Sequence, residues 1–339
     1  MLEASLGLAQ NHHHLTVFPV LAEEGGAFPY LLMADALATG VLTIQEVGDG
    51  QVPLLQARNR ALDPILILDG EQLVGAKQNR MTNRTIILPP ESVTRIPVSC
   101  MEQGRWHFVG DHFAAAPQHA PSKVRRKARE TEARSAQLAR AAEARGHRVT
   151  PSYTELAGAQ GDVWSEIRGV SENLGNHSST GALNSVFEDR RSEMDVWIRA
   201  FPLIPHQVGL LAFLGAKPLG MDALGGASHF ATLHRRILTG YILDALDARS
   251  LDDADAPVQQ SEAEKFIKDT RSANRTRSES VGSGEYRILD GSVLGGELVE
   301  EWHLVHLSAF PNLDGSRHEG EGITPPTPIA RPSHRRRRF

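Results

Sequence analysis

Two short stretches of the chain concentrate residue types able to bind or process an anion. The first is Asp69-Gly-Glu71-Gln-Leu-Val-Gly75-Ala-Lys77-Gln78-Asn79-Arg80. It follows Ile65-Leu-Ile-Leu68, which is apolar on both faces and therefore reads as an interior strand. Its polar side chains thus begin at the edge of a core. Strand alternation sets Glu71 and Leu73 on one face and Gln72 on the other. Lys77 and Arg80 supply cationic donors and Gln78 and Asn79 supply amides, a set that suits an anionic, hydrogen-bonding ligand. Gly75 lets a backbone approach closely. The same composition also describes a solvated hairpin with a glycine bulge.

The second stretch is Val98-Ser-Cys100-Met-Glu102-Gln103-Gly104-Arg105-Trp106. Extending the alternation of Ile96 and Val98 places Cys100 and Glu102 on the inward face. A carboxylate at the end of an apolar row is partly desolvated, which raises its pKa and fits it for acid–base work. Arg105 beside Trp106 offers a planar donor and a stacking surface, a pairing suited to nucleotides. Glu71 and Glu102 are accordingly the candidate acid/base or hydroxyl-binding groups. Lys77, Gln78, Arg80, Arg105 and Trp106 are the candidate ligand contacts. Cys100 has no base identifiable by sequence and reads equally as a small buried hydrophobe.

The elements that must hold these groups change character along the chain. From Leu15 to Phe108 short β-branched runs recur at the spacing of a sandwich or barrel: 15–20, 41–47, 52–58, 64–68, 84–88 and 93–98. Helices are expected over Ser122–Arg145, from Asp162 as an N-cap, over Gly181–Phe201, over Phe230–Leu246 and over Glu262–Arg271. Gln207–Leu214 and Glu285–Phe310 return to strand. Ile67-Leu-Asp-Gly70 and Ile288-Leu-Asp-Gly291 both read as a strand followed by an Asp-Gly hairpin turn. The expectation is an α+β fold with a β-rich, sandwich- or barrel-like half integrated with a mixed half. One composite domain spans 12–310, with the β-rich part at 12–108, a basic surface helix at 121–146 and mixed elements at 160–310. An Arg-rich disordered tail follows at 311–339.

Charge narrows the function classes. The net charge is −5, yet residues 121–149 hold nine Lys/Arg against three Glu, and 331–339 add five Arg. The remainder carries 22 basic against 38 acidic residues, so an acidic body bears two basic appendages. Weak nucleic-acid contact through those appendages is one reading of them. No apolar run is long enough to span a bilayer and no basic, then apolar, leader precedes the first strand, so a cytoplasmic location is expected. A single cysteine excludes an intramolecular disulfide and a multi-cysteine metal site. His12 to His14 are adjacent, and adjacent strand residues face opposite ways, so no metal site is assigned. Phosphate-loop, dinucleotide-fold, nucleophile-elbow, zinc-protease and kinase signatures are absent from the sequence. The residues specify no cofactor.

Asp69 to Arg80, followed by Ile96-Pro-Val-Ser-Cys-Met-Glu-Gln-Gly-Arg-Trp106, resembles the ARG and Rhodanese-Phosphatase-superfamily-associated protein domain. Asp162-Val-Trp164 and Gln207-Val-Gly209 fit the same pattern, and the resemblance runs over about residues 12–310. It implies an ADP-ribosylation-related setting in bacterial stress or conflict systems, with ADP-ribosylation-related protein partners. Its implied ligand is ADP-ribose or an NAD-derived compound, bound and, as an extension, processed. It carries no catalytic assignment. The alternatives are a non-enzymatic interaction scaffold, in which the same motifs stabilise hairpins, and a weak nucleic-acid-binding protein.

The 331–339 segment has almost no apolar residue to bury. Deleting it is expected to leave the melting temperature unchanged, and any nucleic-acid affinity of the full chain should fall steeply with salt. Polarisation titrations from low to several hundred millimolar salt check this; sequence-selective or salt-resistant binding contradicts it.

Overall fold

In the computed structural model the described residues are 4–23, 27–51, 54–105, 110, 112–147, 149–150, 160–248 and 258–313. The first half contributes strands β1 (Ser5–Leu6), β2 (Gln10–His12), β3 (Leu15–Leu21), β4 (Leu31–Leu32), β5 (Leu42–Gln51) and β6 (Leu54–Asn59). Six more follow: β7 (Ile65–Ile67), β8 (Glu71–Gly75), β9 (Arg80–Thr82), β10 (Ile86–Leu88), β11 (Val93–Cys100) and β12 (Phe113–His119). A short helix α1 (Met33–Ala38) interrupts them. Next come α2 (Ser122–Glu143), α3 (Gln160–Asn173), α4 (Leu183–Asp189), α5 (Arg191–Ala200), β13 (Gln207–Leu214) and β14 (Lys217–Leu224). The chain closes with α6 (Ala227–Asp247), α7 (Gln260–Ser272), β15 (Asn274–Arg277), β16 (Glu285–Asp290), β17 (Val293–Glu300) and β18 (His303–Pro311).

This is an α+β fold with a curled sheet system. The largest sheet runs β1-β3-β13-β14-β18-β17-β16-β15, with β2 added against β3, so the first and last strands among the described residues share one sheet. A six-stranded sheet, β12-β8-β9-β11-β6-β5, and a three-stranded sheet, β10-β7-β4, build the rest of the N-terminal half.

Val208 to Phe213 shows why the large sheet needs helices on both sides. Leu210 and Ala212 belong to a core with Leu233, Ile237 and Leu238 of α6. Val208, Leu211 and Phe213 belong to another core with Ala263, Phe266 and Ile267 of α7. From Leu210 to Phe213 alternate residues thus enter opposite cores, Val208 joining the second core ahead of the register shift near Gly209, and this stretch is apolar because both faces are covered. A third core, with Ile44, Leu55, Ile65, Ile67, Leu73, Ile96 and Val98, fills the N-terminal half.

Several expectations change. The helix expected over 181–201 divides into α4 and α5 at Arg190. Asp162 lies in the first turn of α3, not at its N-cap. Strands β1, β2, β4, β9, β12, β14 and β15 were not expected; β1, β2, β4, β9 and β15 are only two to four residues long, and Arg80–Thr82 and Asn274–Arg277 are polar as well. The two Asp-Gly turns also part company. The turn after Asp290 joins the paired strands β16 and β17. The one after Asp69 instead carries the chain from β7 in the three-stranded sheet to β8 in the six-stranded sheet. The expected surface helix at 121–146 requires the main correction. One face of α2, with Val124, Arg125, Ala128, Arg129, Glu132, Ala133, Ala136 and Ala139, is buried. Its two central arginines enter the protein because carboxylates from other elements wait there. The proposed disordered tail lies outside the described residues from 314 onward.

Gly70 sits where three of these elements meet. Its φ is +83°, and a Cβ there would stand 2.6 Å from His119 Cε1 and 2.7 Å from Arg125 Cδ. Gly70→Ala should therefore cost about 2–4 kcal/mol through strain and overpacking together. Gly291→Ala, also at positive φ but with its nearest neighbour 3.8 Å away, should cost less. Urea unfolding of the two variants checks the order.

Candidate functional site

The first motif forms a crossing point, and each of its charged groups there finds a partner inside the protein. Glu71, at the start of β8, is buried. Its Oε2 accepts from the Leu68 N–H at 2.9 Å and its Oε1 from Arg236 Nη1 of α6 at 2.6 Å. Burial pushes its pKa up against the pull of Arg236. Arg80, on β9, is fully buried; it donates to Gln78 Oε1 at 3.0 Å, to Cys100 Sγ and to Glu46 Oε1 at 3.3 Å. Burial raises the Cys100 thiol to about 11, which leaves it protonated at neutral pH and favours its packing role. Lys77 is half-buried, just past Ala76, whose φ is +42°.

The second motif ties a loop together. Glu102 Oε2 accepts from Arg105 Nε at 2.9 Å and from the Asn79 N–H at 3.2 Å. Arg105 also donates to the carbonyls of Ala76 at 2.7 Å and Gly75 at 3.3 Å, and to Asn79 Oδ1 at 3.1 Å. Burial acts to raise the pKa of Glu102, but hydrogen bonds from Arg105, Thr180 and Asn79 outweigh it and hold the carboxyl below its ordinary range. The motif residues thus fall into three bonded groups, centred on Glu71, on Arg80 and on the Glu102–Arg105 pair. Strand β11 ends at Cys100, so Glu102 owes its burial to the loop that follows and not to strand alternation. Trp106 lies outside the described residues.

Sequence reasoning missed the densest polar cluster. Arg125 donates to Asp69 Oδ1 at 3.0 Å through Nε, and to both carboxylate oxygens of Asp222 at 2.8 and 2.6 Å. Tyr241 donates to Asp222 Oδ2 at 2.7 Å, His306 Nε2 lies 3.1 Å from Asp222 Oδ1, and Ser308 donates to Asp69 Oδ2 at 3.1 Å. One turn along α2, Arg129 pairs with Glu132 and reaches Tyr286, while Arg84 also pairs with Glu132. Arg125, Arg129 and Arg84 are each no more than 2% exposed. The one signal in the sequence was spacing: Arg125, Arg129 and Glu132 are i, i+4 and i+7 of a helix, one face by helical geometry.

Open space lies beside the second motif. A cleft of about 320 Å³ is formed between α3 and residues 176–181. Gln103 lines it from the motif; Trp164, Ile167, Arg168, Ser171 and Glu172 line it from α3; Asn176, His177, Ser178 and Gly181 line it from the facing loop. Arg168 donates to Gln103 Oε1 at 3.2 Å. Two buried polar atoms, Trp164 Nε1 and Ser171 Oγ, have no hydrogen-bond partner. The volume falls at the lower end of small-molecule sites, and the lining joins an aromatic face to a few convergent polar groups. Among the described residues no group of three or more His, Cys, Asp or Glu is arranged to hold a metal ion, and no described helix is long and apolar enough to cross a membrane.

The family model of the ARG and Rhodanese-Phosphatase-superfamily-associated Protein domain matches residues 3–310. The chain belongs to that family. The match takes in both motifs, the buried cluster and both walls of the cleft, and the family's name suggests an ADP-ribosylation-related context. No curated protein and no solved structure matches the chain.

The buried cluster has a consequence for acid stability. His119, next to Gly70 and Arg125, is buried with neither ring nitrogen bonded, and burial together with Arg125 lowers its pKa to about 3. Burial lowers His234 to about 4. An unfolded histidine takes up its proton near pH 6.5, so both contribute stability that is complete above that pH and is lost as pH falls toward 3–4. Asp69 and Asp222 are held below the ordinary carboxylate range against burial, chiefly by Arg125, and add a loss below about pH 4. Asp244 opposes the trend: burial raises it to about 6, so its contribution is lost as pH rises through that value. Urea unfolding should therefore show stability falling from pH 6.5 to 4, and His119→Leu should flatten that slope. An unchanged slope in the variant would remove His119 from this account.

Proposed function

We propose that the protein binds a nucleotide-like anion, ADP-ribose or an NAD-derived compound, in the cleft between α3 and residues 176–181. The observation that carries this reading is the lining: a guanidinium (Arg168), an indole (Trp164), the imidazole of His177 and the amide and hydroxyl groups of Gln103, Ser171, Asn176 and Ser178 around one open volume. Glu172 is the acidic group on the same wall, placed to meet a ribose hydroxyl and not a phosphate. Arg168 suits a phosphate, since a planar guanidinium forms charge-assisted, bidentate hydrogen bonds to oxyanions. Trp164 offers a stacking face. The family context supports the choice of ADP-ribose and its relatives as first ligands to test. Glu102 and Arg105 hold the segment that presents Gln103, the motif's direct contact, and Arg80 bonds Cys100 at the start of that segment; Glu71, Lys77 and Gln78 do not line the cleft.

A scaffold reading has one observation in its favour: Glu71, Arg80, Glu102 and Arg105 all bond within the protein. Nucleic-acid binding loses ground, because Arg125 and Arg129 are buried and Arg126 and Lys127 pair with Glu130. Isothermal titration with ADP-ribose, NAD and inorganic phosphate decides between ligand binding and scaffold. Arg168→Ala should weaken ADP-ribose binding about tenfold or more, the scale of one charge-assisted hydrogen bond, and leave the melting temperature unchanged because Arg168 is exposed. Absence of binding by all three probes would favour the scaffold.

A further inference from the structure

The cleft runs along α3, and the chain itself gives it two ends. The Asn176 N–H donates to the Ser171 carbonyl at 2.9 Å and the Gly175 N–H to the Glu172 carbonyl at 3.1 Å, with Gly175 at φ +63°. This is the Schellman pattern: α3 stops in a left-handed turn, and residues 176–181 fold back along it. After the return, the Leu183 N–H reaches the Met101 carbonyl at 3.1 Å, next to Cys100, whose backbone pairs with the Gln160 side chain at the start of α3. One end of the cleft therefore lies at the turn, beside Glu172, and the other toward the start of α3, beside Trp164. Trp164, Arg168 and Glu172 are i, i+4 and i+8 of α3 and all line the cleft. An indole, a guanidinium and a carboxylate thus follow one another at about 6 Å of helix rise. Opposite charges four residues apart can pair on a helix surface. Here they stand apart: Arg168 donates to Gln103 Oε1 at 3.2 Å instead. Among the described residues no Lys, Arg or His nitrogen lies within 4.0 Å of the exposed Glu172 carboxylate.

We infer that the cleft selects a nucleoside diphosphate carrying a sugar beyond the diphosphate, and that Glu172 is the residue that selects for that sugar. The inference rests on the cleft being the ligand site proposed above, and gives that site an order: base at Trp164, diphosphate at Arg168, distal ribose at Glu172. In ADP-ribose the adenine, the diphosphate and the distal ribose follow one another in the same order. Arg168 lies midway, so its two neighbours along the helix meet the groups on either side of the diphosphate. A carboxylate accepts from both vicinal hydroxyls of a ribose and has no proton to offer an oxyanion. His177, just past the turn, adds a ring nitrogen able to donate to a hydroxyl or accept from it. The same carboxylate opposes a ligand that ends in phosphate, because ADP or ATP brings like charge toward it. Selection thus has an attractive and a repulsive part.

Glu172→Gln and Glu172→Lys test this, because Glu172 is exposed and both replacements are good helix formers. Titration calorimetry on the full chain compares ADP-ribose, ADP and ATP at one ionic strength, and melting temperatures check folding. The wild type should bind ADP-ribose about fivefold more tightly than ADP, and ATP more weakly still. Glu172→Gln should weaken ADP-ribose about tenfold, the scale of one charge-assisted hydrogen bond, and leave ADP binding unchanged or tighter. Glu172→Lys should reverse the order, so that ADP and ATP bind more tightly than ADP-ribose. Both variants should melt with the wild type. A wild type that prefers ADP or ATP overturns the inference and leaves the ligand reading standing, as does a variant that keeps the wild-type affinities. An equal loss for all three nucleotides puts the base, not the sugar, at Glu172 and also overturns it, as does a loss that only accompanies a lower melting temperature. A wild type that binds none of the three removes the ligand reading and the inference together.

Discussion

Arg125 joins three parts of the chain that lie far apart in sequence. Its guanidinium lies between Asp69, at the crossing from β7 to β8, and Asp222, on β14 of the large sheet, and its own backbone belongs to α2. Phe310 of β18 packs under it, with the guanidinium carbon 4.9 Å from the ring centre. Burying three charged groups together costs several kcal/mol in lost hydration for each, which good geometry recovers only in part. The value of such a cluster lies in what it forbids. Any packing that separates α2 from the two sheets strands a cation and two carboxylates away from water, and breaking one buried pair typically costs about 3–5 kcal/mol. The arrangement of α2, the N-terminal sheets and the large sheet therefore follows from one side chain and its two acceptors.

The cluster repeats the same logic one turn along α2. Arg129 and Arg84 share Glu132, the Arg84 guanidinium stacks 4.5 Å over the Tyr286 ring, and Ser278 receives its far end at 2.9 Å. Strand β16 and the segment before it are thereby fixed to α2 as well. At the other end of the N-terminal half, Arg105 and Arg80 do locally what Arg125 does globally: each satisfies several acceptors that turns and strand ends would otherwise leave bare. Arginine suits this work because its five donors lie in one plane and its charge is not lost on burial. The polar stretches are dense because the core here is held by buried ion pairs, and the cleft is an opening left beside that frame.

This explains why residues that look like a binding site by composition turn inward. A ligand site and a buried ion-pair network draw on the same residue types, and both are made of groups that need partners near an apolar core. Geometry separates them. Glu71 faces Arg236, which lies 165 positions further along the chain, and no local pattern could announce that contact. Glu102 and Arg105 are three residues apart and find each other first, then reach back to residues 75–79. The open volume is lined mostly by α3 and the 176–181 loop, whose residues, Trp164 of the short Asp162-Val-Trp164 match apart, are ordinary for helix and turn surfaces.

The sequence alone determined the α+β class, the interior strand within 65–68, the strand at 207–214 and the two motifs by which the family is recognised, because each is written in local periodicity or in contiguous residues. It also placed the long helix from Ser122 closely, since helix-forming residues and the flanking Pro121 and Gly146 act within a few positions. Tertiary structure decided which face of that helix is buried. Hydrophobicity marks α2 as a surface helix, and only carboxylates at positions 69 and 222 make it favourable for Arg125 to enter the core. It decided too that the first Asp-Gly turn crosses between sheets while the second closes a hairpin, for the two turns have the same local chemistry and differ only in their strand partners. Charge pairing and strand pairing act across any sequence separation, so their outcome is fixed in space and not in the order of residues.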